Sequence, residues 1–272
     1  MLKRLLIHLL FFTLFIGDLS AAAADRIGIV LLHGKWGNPS RNISKLAASM
    51  KSRGFAVITP LMPWSREREY DIDYPGAMGI LDNAVRELLK EGATVVVVAG
   101  HSMGANASIA YAAYGHEKID AVIAIAPGHT PDRPGYHLNI ESSLNEAIEM
   151  IKTGRGSEKA TFSDLNSGGR SATVSMSAAT YVSYNDPLGM ASMPISTSKV
   201  TQQIPLFWII AGPEDVLYGA GRAYVYDRWP RHPFSRYLVL NSTHLSAPDD
   251  AEADILQWLD LLSRAGTMTN GK

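Results

Sequence analysis

The chain has 272 residues, 46% hydrophobic and 19% charged, with a formal net charge of -1. That length suits one large domain with a sizeable core, and near-neutral charge with no long basic run leaves no electrostatic footprint for nucleic acid or an anionic membrane surface. The absence of cysteine excludes disulfides, thiolate metal sites and a cysteine nucleophile.

In chain order, Lys3 and Arg4 precede an apolar stretch, Leu5 to Ile16, and then the small residues Ala21, Ala22, Ala23 and Ala24. This is the three-part pattern of a secretory signal peptide. The stretch is shorter than the roughly 20 apolar residues of a spanning helix. Cleavage after Ala23 or Ala24 is therefore expected, with no stable membrane anchor afterwards. The expected address is periplasmic first and secreted second.

Ile27 to Leu32 reads as a strand buried on both faces and ending in the turn His33-Gly34. Pro39 to Arg53 has helical spacing, Phe55 to Thr59 is a strand, and Tyr74 to Glu91 is a helix. Thr94 to Ala99 is a valine-rich strand, followed by helix Met103 to Tyr114 and strand Ala121 to Ala126. Strands and helices that alternate with short connections imply a parallel sheet covered on both faces. From Gly128 to about Gln203 the pattern fades into an irregular insertion with local helix such as Leu144 to Lys152. An insertion of that length is usually a lid or binding surface. Strands Leu206 to Ala211 and Tyr237 to Leu240 and a helix from about Asp249 to Ser263 complete the chain.

Gly100-His101-Ser102-Met103-Gly104 falls between the valine-rich strand and a helix. At such a turn, small residues let the backbone bend sharply and present the serine hydroxyl, and the helix N-terminus favours a developing oxyanion. On this motif in this context the chain resembles the α/β-hydrolase superfamily, over essentially all of Asp25 to Arg264. The resemblance implies an α/β-hydrolase fold for 25–272, with a mostly parallel sheet, helices on both faces and a cap or lid insertion at 128–203. It also implies a catalytic triad in the order Ser, Asp or Glu, His.

Asp215, in the turn after strand Leu206 to Ala211, fits the acid, with Glu214 and Asp132 as competitors. His244, after strand Tyr237 to Leu240, fits the base. His116, His129, His137 and His232 read as surface or loop residues, and His129, Asp132 and His137 match no metal-ligand spacing. Two N–H groups should form the oxyanion hole, that of Met103 and that of Lys35, with Trp36 as the near alternative to Lys35. Trp36 and His33 are candidate substrate contacts, and the Lys35 ammonium either meets a substrate anion or is solvated. Residues 64–69 read as a solvated loop of mixed charge. Met176, Met190 and Met193 read as an adaptable apolar surface or as lid packing.

The expected reaction is two-step acyl transfer on a small-molecule ester, with no cofactor and no metal. Thioesters, amides, short peptides and non-water acceptors share the same triad. A non-catalytic envelope binding or interaction protein of the same fold is the rival from another class.

Overall fold

A computed structural model describes residues 26–166 and 169–269. The segment read as a signal peptide lies outside the described residues. The first half alternates β1 (Ile27–Leu32), α1 (Ser44–Ser52), β2 (Ala56–Ile58), α2 (Tyr74–Lys90), β3 (Val95–His101), α3 (Met103–Tyr114) and β4 (Ala121–Ile125). The insertion then builds α4 (Pro134–Lys152), the strands β5 (Lys159–Asn166) and β6 (Arg170–Ser177), α5 (Ala178–Asn185) and α6 (Met193–Lys199). The main fold resumes with β7 (Leu206–Ile210), β8 (Arg236–Val239), α7 (Ala247–Asp250) and α8 (Glu252–Thr269).

The six strands of the central sheet lie in the order β2-β1-β3-β4-β7-β8 and every neighbouring pair is parallel. All six residues of β1 and all five of β4 and of β7 are buried, because both faces are covered. Side chains alternate between the faces. Val30, Val98, Val122 and Trp208 point into one core with α2 and α3. Ile29, Val97, Ile123 and Phe207 point into the other with α1 and α8.

This arrangement locates the functional crevice. The chain leaves β1 toward α1 on one face and leaves β3 toward α3 on the other, although β1 and β3 are neighbours. Where successive connections diverge in this way, the carboxyl ends of the strands open a cleft that the sheet itself cannot fill. The His33 turn and Ser102 both border that cleft.

Some elements differ from the sequence reading. The helix expected over Pro39 to Arg53 begins only at Ser44. Before it, Asn38 Oδ1 accepts from the Ser40 N–H at 3.0 Å, and Asn42 has φ 42, so the first residues form a turn. The insertion is not irregular: β5 and β6 pair antiparallel, with Phe162, Val174 and Met176 buried among polar neighbours. α3 is apolar or small on every side because β3 and β4 pack on one flank and α6 on another. Residues 64–69 are not wholly solvated: Trp64 and Ser65 are buried, and Trp64 Nε1 donates to the His33 carbonyl at 2.8 Å. Met176 and Met193 are interior packing, with Met190 against the same core.

Candidate active site

Ser102 stands at φ 56 and ψ -117 between β3 and α3. A non-glycine residue there costs on the order of 1–3 kcal/mol and persists only where its surroundings fix it. The fixing contacts are the Ser102 N–H to the Ile125 carbonyl at 3.0 Å, and the N–H groups of Asn106 and Gly128 to the Ser102 carbonyl at 3.1 Å each. The tight turn needs its glycines. A Cβ on Gly100 would lie 2.2 Å from the Gly104 carbonyl carbon, and one on Gly104 would lie 2.5 Å from the Leu32 oxygen.

His244, in the loop between β8 and α7, places Nε2 3.0 Å from Ser102 Oγ. On its far side, Nδ1 stands 4.0 Å from Asp215 Oδ2, beyond hydrogen-bond distance. The Asp215 carboxylate has no exposed side-chain surface and is held by the Ala211 N–H at 3.1 Å and the Leu217 N–H at 3.0 Å. Glu214, beside it, is exposed. Asp132 is committed elsewhere: the Tyr224 hydroxyl lies 2.8 and 2.9 Å from its oxygens, and burial outweighs that contact in raising its pKa.

His101 is more than the variable residue of the motif. Its Nε2–H donates to the His244 carbonyl at 2.7 Å, which seats the loop carrying that imidazole. Burial, with His244 alongside, lowers the His101 pKa to about 3, so the ring stays neutral. Its Nδ1 is buried without a partner.

The loop after β1 faces Ser102 from the other side. A Cβ on Gly34 would sit 3.0 Å from Ser102 Cβ. Among the described residues the N–H groups of Lys35 and Met103 meet no acceptor, whereas the Trp36 N–H is spent on the Trp64 carbonyl at 2.8 Å. Trp36 is thereby removed as the alternative donor. His33 lies along the pocket, and its ring nitrogens are engaged by the Gly34 carbonyl and the Met62 N–H, at 2.8 and 3.0 Å, which holds the loop in shape. The Lys35 ammonium is neither solvated nor turned to the pocket; it pairs with Asp164 of β5 at 2.7 Å. Trp36 packs edge-on against Tyr70 and donates from Nε1 to Asn166 at 3.1 Å.

Behind this loop lies a polar cluster that no local pattern announced. His129 Nε2–H donates to the Tyr184 carbonyl at 2.6 Å, and the Tyr136 hydroxyl lies 3.0 Å from its Nδ1. Burial, with Lys35 nearby, lowers the His129 pKa to about 4. Asn106 ties α3 to this region, donating to the carbonyls of His129 and Ala191 at 2.8 Å each. His129 is a loop histidine, in the connection between β4 and α4, but its ring is tied to the Tyr184 carbonyl and the Tyr136 hydroxyl and is not free in solvent. Among the described residues no group of three His, Asp or Glu side chains gathers as metal ligands.

The pocket at Ser102 measures about 40 Å³ and is bordered by Gly34, Asn38, Arg41, Asn42, His244 and Leu245, among others. Two larger hollows, about 560 and 510 Å³, meet at His232 near the N-terminal ends of β7 and β8. They lie at the edge of the sheet opposite Ser102 and hold none of the residues just described.

A family model described as the alpha/beta hydrolase family matches residues 29–267, and the chain belongs to that family. Similar solved structures include one from work on LipS and LipT, two metagenome-derived lipolytic enzymes, at TM-score 0.62 and 18% identity over 89% of this chain and 95% of the other. A soluble variant of monoglyceride lipase from Saccharomyces cerevisiae matches at TM-score 0.63 and 15% identity over 87% of each chain. The monoacylglycerol lipase of Paleococcus ferrophilus matches at TM-score 0.60 and 17% identity over 85% of this chain and 93% of the other. At these identities the likeness carries the fold alone. No curated protein matches by sequence.

Proposed function

We propose that this chain is a serine hydrolase that cleaves small carboxylic esters. The observation that carries the reading is Ser102, held at φ 56 in the strand-to-helix turn with His244 Nε2 3.0 Å from its hydroxyl. Neutral imidazole takes the serine proton as Oγ attacks the carbonyl, and returns it to the leaving alcohol. Asp215, already desolvated, orients His244 and stabilises the imidazolium; its 4.0 Å separation closes as charge develops, as such contacts tighten on substrate binding. The N–H groups of Met103 and Lys35 receive the oxyanion, a contribution of about 3–4 kcal/mol per donor. Water then releases the acyl group.

The names of similar proteins, lipolytic enzymes and monoglyceride lipases, favour esters as the substrate class. The hollow at Ser102, about 40 Å³, is far smaller than the roughly 300–1,000 Å³ of pockets that enclose a drug-sized ligand, so short acyl esters are the first substrates to try. Export by an N-terminal signal remains part of this reading; among the described residues no helix is long and apolar enough to cross a membrane. The test is hydrolysis of p-nitrophenyl esters from acetate to palmitate, with Ser102→Ala in parallel. The reading expects acetate or butyrate to be best and the variant inactive. Equal turnover by Ser102→Ala would refute it. Thioesters and amides are the next substrates if esters fail while Ser102 still takes a fluorophosphonate.

A further inference from the structure

The inserted hairpin grips the loop that borders Ser102. Consecutive residues of β5 do so: Asp164 Oδ1 and the Leu165 carbonyl accept from Lys35 Nζ at 2.7 and 3.0 Å, and Asn166 Oδ1 accepts from Trp36 Nε1 at 3.1 Å. The partners are about 130 residues apart in sequence, and the charged pair is nearly sealed, with side chains 10% and 4% exposed.

A pair buried this deeply is a poor source of stability, because desolvating two charges cancels most of their attraction and apolar residues of similar volume do as well. Asp164 Oδ2 has no hydrogen-bond partner although it is buried, a further cost. What the pair does supply is position. Trp36, next to Lys35, is held at φ 57, a strained value that requires external restraint. One restraint is the backbone bond to Trp64; the others come from β5. A second line from Asp164 reaches the opposite wall of the site. Its Oδ1 lies 3.3 Å from the Tyr136 hydroxyl, which contacts His129, and Gly128 beside it faces Ser102 Oγ.

We propose that Asp164 is a positioning residue of the oxyanion hole: by holding the Lys35 ammonium it sets the direction of the Lys35 N–H, so that seating of the β5–β6 hairpin and assembly of the hole are one event. This rests on the reading of Ser102 as the nucleophile and of the Lys35 N–H as an oxyanion donor. The hairpin thereby controls rate without touching substrate.

The test compares the full chain with Asp164→Asn, Asn166→Ala and the double variant Lys35→Met/Asp164→Leu. The double variant removes both charges together, so neither is left buried and unpaired, and it keeps the Lys35 backbone N–H, although the Leu165 carbonyl loses its contact with Nζ. The readouts are kcat and KM on p-nitrophenyl acetate, the rate of fluorophosphonate labelling, and Tm. The expected result is a kcat loss of about 10- to 100-fold in the double variant, with KM within about threefold and Tm not lowered. Labelling slows in step, and Asn166→Ala loses about 3- to 10-fold. A folded double variant with wild-type kcat, or a loss confined to KM, overturns the proposal. If the double variant does not fold, unchanged kcat in both Asp164→Asn and Asn166→Ala overturns it instead. A wild-type chain that neither turns over ester nor labels would remove the hydrolase reading and this proposal with it. An active, labelled wild type with indifferent variants removes this proposal alone.

Discussion

Gly128→Ala separates the chemistry of the site from the stability of the fold. A Cβ at this position would lie 2.9 Å from Ser102 Oγ and 3.6 Å from His244 Cε1. Relaxed contacts fall near 3.5 Å, so the hydroxyl must yield by about half an ångström. The cheap response is a hop of the serine side chain to another staggered well, about 120° away, which breaks the 3.0 Å contact with His244 Nε2. The backbone tolerates alanine, because Gly128 does not have positive φ, and its N–H still reaches the Ser102 carbonyl. Reduced freedom of the unfolded chain even offers about 0.4–1 kcal/mol in favour of folding. Misplacing a nucleophile by about 1 Å costs on the order of 10²-fold, or about 2.7 kcal/mol of transition-state stabilisation. Steady-state kinetics on p-nitrophenyl acetate, with Tm by calorimetry, should therefore show kcat/KM down about 100-fold and Tm within a few degrees. Wild-type kinetics, or a loss explained by a fallen Tm, would refute this geometry.

Asp215→Asn should lower kcat by about 10³- to 10⁴-fold, while Glu214→Gln, on an exposed side chain, should change it less than threefold; equal losses would reassign the acid. Gly104→Ala drives a Cβ into the Leu32 and His33 carbonyl oxygens at 2.5 and 2.8 Å, between the backbones of α3 and β1. Chemical denaturation should show a loss of about 3 kcal/mol or more, and an unchanged midpoint would contradict the packing. The fold should also weaken in acid. His129 ionises near 4 when folded, because of burial, against an ordinary value of 6.5. Between those values the unfolded chain binds more protons, so stability is complete above pH 6.5 and lost as pH falls toward 4, by about 3 kcal/mol. Denaturation at pH 7 and pH 4.5 should show His129→Gln losing less than wild type over that interval. An equal loss in both would mean that His129 is not held neutral.

Much of this architecture is written locally. The strands that became β1, β3, β4 and β7 are continuous apolar runs because parallel strands are covered on both faces, and that period is legible without knowledge of partners. Ser102 is equally legible, since its glycines are needed within a few residues of it. The order and strand-end positions that the family resemblance implies point to His244 and Asp215; His244 Nε2 lies 3.0 Å from Ser102 Oγ, and Asp215 is buried 4.0 Å from His244, whereas Glu214 is exposed. The hairpin was not legible. β5 and β6 mix Ser, Thr, Lys and Arg with few inward apolar residues, so their alternation is diluted. Lys35 read as solvated or substrate-facing because nothing near it in sequence supplies an anion; its partner Asp164 arrives only through tertiary folding. Trp64 is a similar case. Charged residues, Arg66 to Glu69, follow closely after it in sequence, but its indole is claimed by the His33 carbonyl.

The most direct test of the central claim is stoichiometric reaction with a fluorophosphonate, read by intact mass and peptide mapping, on wild type, Ser102→Ala and His244→Ala. The account predicts one adduct per chain, on the peptide carrying Ser102, absent in Ser102→Ala and formed at least about 100-fold more slowly in His244→Ala. Labelling elsewhere, or equally fast labelling without His244, would contradict it.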